Sequence, residues 1–221
     1  MYTFIINPLK KIMKNSKIFG MLFMAVLFSV VSLSSCEDTD EKVNPPVVSL
    51  TQEEQDLLIY MREEEKLARD VYQHFYALYN LDIFNNIASS EQKHTDKIKD
   101  LLIQYNLEDP FLAEYGVFSN DELQTLYNAL IAQGENNLVD ALIVGATIED
   151  VDIFDLNNAI AQTSHTDIIN VYEKLTCGSR NHIRAFTDQL DTHNVSYTPS
   201  FISQAEYDDI LLGEHESCGR H

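Results

Sequence analysis

Positive charge is scarce in this chain of 221 residues: 15 lysines and arginines stand against 35 aspartates and glutamates, a formal net charge of −20. Phosphate binding needs basic patches, so a nucleic-acid partner is excluded. Cysteine is nearly absent: the three present form no Cys-x-x-Cys pair, which excludes a thiolate cage for iron. The 5 prolines and 7 glycines leave long stretches without a breaker, and none of those stretches alternates apolar and polar residues as a half-buried strand must. The longest apolar run, Ile18 to Leu33, falls short of the roughly 20 residues a bilayer-spanning helix needs.

That run has a specific setting. Lys10, Lys11, Lys14 and Lys17 precede it, and Leu33-Ser34-Ser35-Cys36 closes it. A basic start, an apolar middle and a small-residue cut make a secretory signal, and the last four residues match a lipoprotein cleavage site. Residues 1–35 are therefore read as a signal peptide, with lipidation at Cys36; a plain transmembrane anchor is the rival. Glu37-Asp38-Thr39-Asp40-Glu41 resembles the acidic tag that sends some bacterial lipoproteins to the outer surface, and equally suits a solvated tether. With Pro45 and Pro46, residues 36–49 form that tether. The expected location is the cell envelope, at the outer membrane, with the membrane itself as partner. Loss of the four leader lysines takes the net charge from −20 to −24.

The remainder, residues 50–212, reads as one all-α domain, with a tail over 213–221. Thr51-x-x-Glu54 is a capping box opening a first helix to about Tyr79, stopped at Asn80. A second runs from about Ile83 to Tyr105. Pro110 and Gly116 lie in a long connection that ends in a short helix, Ser119 to Ala132, closed by Gly134. A third long helix spans roughly Asn136 to Gln162. The fourth runs from a capping-box-like Ser164-x-x-Asp167 to about Asp191, and Ser203-x-x-Glu206 starts a short terminal helix. Tight joints favour antiparallel neighbours, so the pattern predicts two helical hairpins joined by a long crossover, the arrangement of a ferritin-like four-helix bundle.

Each long helix carries polar groups on the stripe that should be apolar. The alternating three- and four-residue steps run through Met61, Glu65 and Ala68; through Ile87, Glu91, His94 and Ile98; through Leu142, Gly145, Glu149 and Asp152; and through Leu175, Ser179, His182 and Phe186. Such spacing keeps residues on one helix face. A lone charge buried there costs many kcal/mol, so these groups must be paired, protonated or bound to a cation. Carboxylates are hard oxygen donors and imidazole is a neutral donor for iron. Bundle metal sites take a Glu from each of two helices and a Glu-x-x-His pair from each of the other two. Glu91 and His94 form one such pair, and Glu65 and Glu149 supply the single glutamates. The second pair is broken, because Ser179 stands where a Glu is needed before His182; Asp152 is the candidate replacement. The expected site is Glu65, Glu91, His94, Glu149, Asp152 and His182 around iron or manganese, as a dinuclear centre or a single ion. A metal-free network closed by Arg69, Arg180 or Arg184 is the alternative. Tyr60, Tyr72 and Tyr172 are read as packing, and His74 and His165 as surface residues.

Three segments, Met61 to Tyr72, Ser90 to His94 and Gly178 to Phe186, resemble a ferritin-like bacterial and archaeal family catalogued as a domain of unknown function. Glu65-x-x-Ala68-Arg69 with Glu91-x-x-His94 is also similar to the first hairpin of rubrerythrins. The resemblance implies a four-helix bundle and a di-iron centre but transfers no reaction. Rubrerythrins add a rubredoxin-type iron site with paired Cys-x-x-Cys motifs, which this chain lacks.

Outside the lipidation site, Cys177 and Cys218 are candidates for a disulfide, with His215-x-x-Cys218-x-x-His221 as a rival metal motif in the tail. Two functions follow: an envelope-anchored metalloprotein handling oxidants or metal, or a non-enzymatic binding module whose core polar groups only fix helix register. The oligomeric state, a dimer included, is left open.

Overall fold

The computed structural model describes residues 49–219. The signal peptide 1–35, Cys36, the acidic tether up to residue 48, and His221 lie outside the described residues. Six helices and no strand make up the described chain: α1 Gln52–Tyr79, α2 Asp82–Gln104, α3 Asp121–Gly134, α4 Leu138–Gln162, α5 Thr166–Thr192 and α6 Gln204–Leu212. No described helix is long and apolar enough to cross a membrane.

Local chemistry sets the ends. Thr51 and Glu54 form a full capping box at the start of α1, and Asn120, Asn137 and Ser203 cap α3, α4 and α6 through side-chain oxygens. Asn80, Asn106 and Asn194 take positive φ just beyond α1, α2 and α5, the left-handed turn that asparagine tolerates better than most residues. Two expected caps are absent. Gly134 lies inside α3 and Glu135 caps it; α5 starts without a side-chain cap, behind His165 rather than Ser164.

The long helices form a bundle in which α1 packs on α2, α4 on α5, α1 on α4 and α2 on α5. Polar contacts at the two ends fix direction. Thr163, just past the end of α4, donates to Glu54 in the first turn of α1 at 2.6 Å, and Tyr105, just past the end of α2, donates to Asp167 in the first turn of α5 at 2.7 Å. At the far end, Tyr79 at the close of α1 donates to the Gly134 carbonyl at 2.5 Å. Adjacent helices therefore run antiparallel, and the chain must travel the length of the bundle between α2 and α4. Residues 105–120 and α3 make that journey, with α3 lying over α1 and α4.

Two apolar clusters fill the bundle, one at each end. Phe75, Phe84, Phe186 and Leu190 belong to one; Leu58, Ile98, Leu156 and Tyr172 belong to the other. The polar stripe residues occupy the layer between them. A further small cluster around Ile183, Ile202 and Ile210 fastens α6 and its preceding loop to the outside of α5.

Candidate metal centre

Residues 61–72 of α1 are all buried, although their sequence is full of charge. Most of those charges hold the crossover. Arg62 makes two bonds to Asp109, at 2.9 and 3.0 Å, and donates to the Thr95 carbonyl at 2.8 Å. The Glu63 carboxylate accepts the backbone N–H groups of Ser119 and Asn120 at 2.6 and 3.0 Å, at the start of α3, where a helix favours negative charge. Lys66, 0 % exposed, pairs with Asp70 at 2.6 Å and donates to the carbonyls of Glu114 and Val117. Asp70 also accepts from Gly116 N–H and pairs with Arg69. Glu65 alone of this run points into the core layer beside the α2 histidine.

There, Glu91 stands between two imidazoles. One carboxylate oxygen lies 2.7 Å from His94 Nδ1 and the other 2.7 Å from His182 Nδ1. Glu65 Oε2 is 3.3 Å from the same nitrogen of His94, and Glu149 Oε2 is 3.3 Å from that of His182. The two rings are stacked, centroids 5.6 Å apart. Two triads result, Glu65–Glu91–His94 and Glu91–Glu149–His182, each with its ligand atoms within 4.8 Å of one another and all residues buried. Glu91 Oε1, despite its close nitrogen, has no donor aligned on it, and Glu65 Oε1 is likewise without a hydrogen bond. Buried oxygens left so would carry an unmet desolvation cost.

Supporting groups surround the triads. Tyr72 donates to Glu149 Oε1 at 2.5 Å, a role its aromatic spacing did not announce. Asp152 lies beside the centre but belongs to neither triad; it accepts the Ser179 hydroxyl, so the serine that breaks the second Glu-x-x-His pair is the aspartate's partner. Gly178 lies against His94: a Cβ there would come 2.6 Å from Nε2. Glu64 faces away from the triads toward Asp155, and its Oε2 is unpartnered.

The electrostatics follow from burial among like charges. Burial raises Glu65, to about 7, against the pull of His94. It also raises Glu149, and it raises Asp152 strongly, with Glu65, Glu149 and Glu91 adding to the effect. For Glu91 burial is outweighed by the two histidines, which hold its carboxyl well below the usual range. Burial would lower both histidines, but Glu91 with Glu149 pushes His182 up to about 10, and Glu91 with Glu65 raises His94 well above its usual value.

Among the described residues no arginine closes this network. Arg69 pairs with Asp70, while Arg180 and Arg184 pair with Glu216 of the tail. The tail offers no thiolate either, because Cys218 is bonded to Cys177, Cα atoms 5.6 Å apart. His165, read as a surface residue, is turned toward Glu54, 3.7 Å away, whereas His74 meets Glu135 at the surface. Sequence reasoning missed Asp150, whose carboxylate gathers the Tyr197 hydroxyl and the N–H groups of Ser200, Phe201 and Ile202.

Comparison with known proteins gives a consistent outline without an activity. The family profile described as "Uncharacterized protein domain (DUF2202)" matches residues 54–214. The uncharacterized protein MJ0754 of Methanocaldococcus jannaschii is 50% identical over 172 residues, which is 77% of this chain and 93% of the relative. The crystal structure of that hypothetical protein superposes with a TM-score of 0.75 at 47% identity, covering 83% of this chain and 100% of the other.

Proposed function

This chain belongs to the DUF2202 family, and we propose that it is a ferritin-like metalloprotein holding two iron or manganese ions in its bundle core. The observation that carries this is the doubly shared carboxylate of Glu91, with one oxygen on each histidine and one triad on each side. Two antiparallel hairpins with a full-length crossover support the ferritin-like part of this reading. Glu65, Glu91 and His94 would hold one ion, and Glu91, Glu149 and His182 the other. Three carboxylates with Asp152 bring about four negative charges, which two divalent cations would balance and no arginine among the described residues does. Such a pair of ions supplies redox and Lewis-acid chemistry toward dioxygen or peroxide.

The chain's own residues set the conditions for it. Tyr72 fixes the rotamer of Glu149 by its hydrogen bond. Ser179 holds Asp152 out of the triads. Phe75, Phe84 and Phe186 close one end of the core layer, and Leu58, Ile98 and Leu156 the other, which excludes bulk water. The lipid expected on Cys36 would hold this bundle at the envelope; incorporation of labelled fatty acid, abolished in Cys36→Ala, tests that placement.

The metal reading is tested by elemental analysis of the purified protein. Two iron or manganese ions per chain are expected, lost in the Glu91→Ala, His94→Ala double variant. A folded, metal-free protein whose melting ignores both added metal and chelator would overturn it in favour of a binding module.

A further inference from the structure

We infer that the seam between α1 and α4, roofed by the crossover helix α3, is the entry and holding pocket for dioxygen. The inference rests on the metal reading above and names the oxidant that site would take. A cavity of about 20 Å³ lies in the seam, between Ala68 of α1, Leu126 and Leu130 of α3, and Val151 of α4. Glu64 and Asp152 stand in its wall. Asp152 links the seam to the metal set, one turn after Glu149 on the same helix face, whereas Glu64 turns to the side away from the triads.

Size and polarity select the occupant. A water needs roughly 10–15 Å³ of such space and 2–4 polar partners. The space suffices for one molecule of one or two heavy atoms, but the walls are almost wholly carbon. Their polar groups are few: Thr147 donates to the Ile143 carbonyl, Asp152 accepts from Ser179 through one oxygen, and Glu64 Oε2 has no partner. A water there would face carbon over most of its surface. A small apolar molecule is favoured there, whereas a hydrated ion or an organic reductant is excluded by size and by desolvation. The roof is fixed as well as present, since Glu63 clamps the first turn of α3 to α1 and Tyr79 binds its last. A role thus falls to the crossover helix that the metal ligands alone do not give it.

Xenon, an apolar probe of similar size, tests the pocket directly. Crystals of the protein under xenon pressure are expected to show an anomalous peak between Leu126, Leu130 and Val151, with or without metal. Val151→Phe and Ala68→Leu, which fill the seam from different helices, should each abolish the peak and retain two metal ions. They should also slow oxidation of bound ferrous ion by dioxygen at least tenfold. A metal-loaded wild type without the peak, or filled variants that oxidise at the wild-type rate, would overturn the pocket and leave the metal reading standing. A xenon peak in a protein that takes up no metal would do the reverse.

Discussion

Gly178 sits so close to His94 that any larger residue must move the imidazole: an added Cβ would meet Nε2 at 2.6 Å and Cε1 at 2.7 Å. Two effects of Gly178→Ala can be weighed separately. Within α5 the substitution favours the helix by up to about 1 kcal/mol, which offsets much of the local strain. The displaced ring, however, moves Nδ1 away from Glu65 and Glu91. Moving a ligand's support costs roughly tenfold in metal affinity. Competition titration with a chelator should therefore show that loss, while urea unfolding of the metal-free protein shifts by no more than about 1 kcal/mol. Unchanged affinity would show that His94 binds no metal. Nothing in the sequence marks this glycine, because its role comes from how near α2 approaches α5. Glu65, Glu91, His94, Glu149 and His182, by contrast, were legible: a helical period is local, and a charge on the inward stripe violates it visibly. Tyr72 was not, since a buried tyrosine obeys the stripe and hides its hydroxyl's partner.

At the scale of elements, the run Arg62 to Asp70 was the least legible part of the chain. Consecutive charges normally mark a solvated face, which argues against core positions for Glu63, Glu64 and Glu65 alike. The structure buries all of them: the crossover supplies partners to Arg62, Glu63, Lys66 and Asp70, while Glu65 turns into the core layer. Helix periodicity cannot foresee this; the crossover partners are 46 to 57 residues away. Lys66→Met should expose the dependence. It keeps roughly the length of the side chain but strips Asp70 of one of its two cations and two crossover carbonyls of their donor. Breaking a buried pair costs about 3–5 kcal/mol, and the lower end is expected here, as Arg69 still holds Asp70. A loss under about 1 kcal/mol in urea unfolding would contradict the anchoring role assigned to Lys66.

The tail is a second element with its own signature. Hydrogen bonds from Arg180 and Arg184 lower the Glu216 carboxyl to about 2. A depressed folded value means stability fully present above the unfolded carboxyl value, near 4.5, and lost as pH falls through 2. With the carboxylate 29% exposed, solvent screening reduces the contribution to about 1–2 kcal/mol. The stability gap between wild type and Glu216→Gln should hold from pH 7 to 5 and close between about pH 4.5 and 2. A gap that stays constant to pH 2 would show that the charge on Glu216 contributes nothing.

For the molecule as a whole, the centre joins what the hydrophobic clusters keep apart. Its groups come from α1 (Glu65), α2 (Glu91 and His94), α4 (Glu149) and α5 (His182), so two ions sharing Glu91 would together crosslink four elements that otherwise meet pairwise. The helix count and the long crossover could be read from stop signals and loop length. The diagonal placement of α1 and α5 could not, because it is settled by which faces meet in three dimensions. Metal removal measures the crosslink. A ligand at 100 times its dissociation constant stabilises the folded state by about 2.7 kcal/mol. For a domain of this size each kcal/mol moves the melting temperature by about 2–4 °C. Chelation should thus lower the melting temperature by about 5–10 °C, and added iron or manganese should restore it. The Glu91→Ala, His94→Ala variant should melt at one temperature in chelator or in metal. If the wild type also melts at one temperature in both, the four helices are held together by packing alone, and the unpartnered oxygens of Glu65 and Glu91 need another explanation.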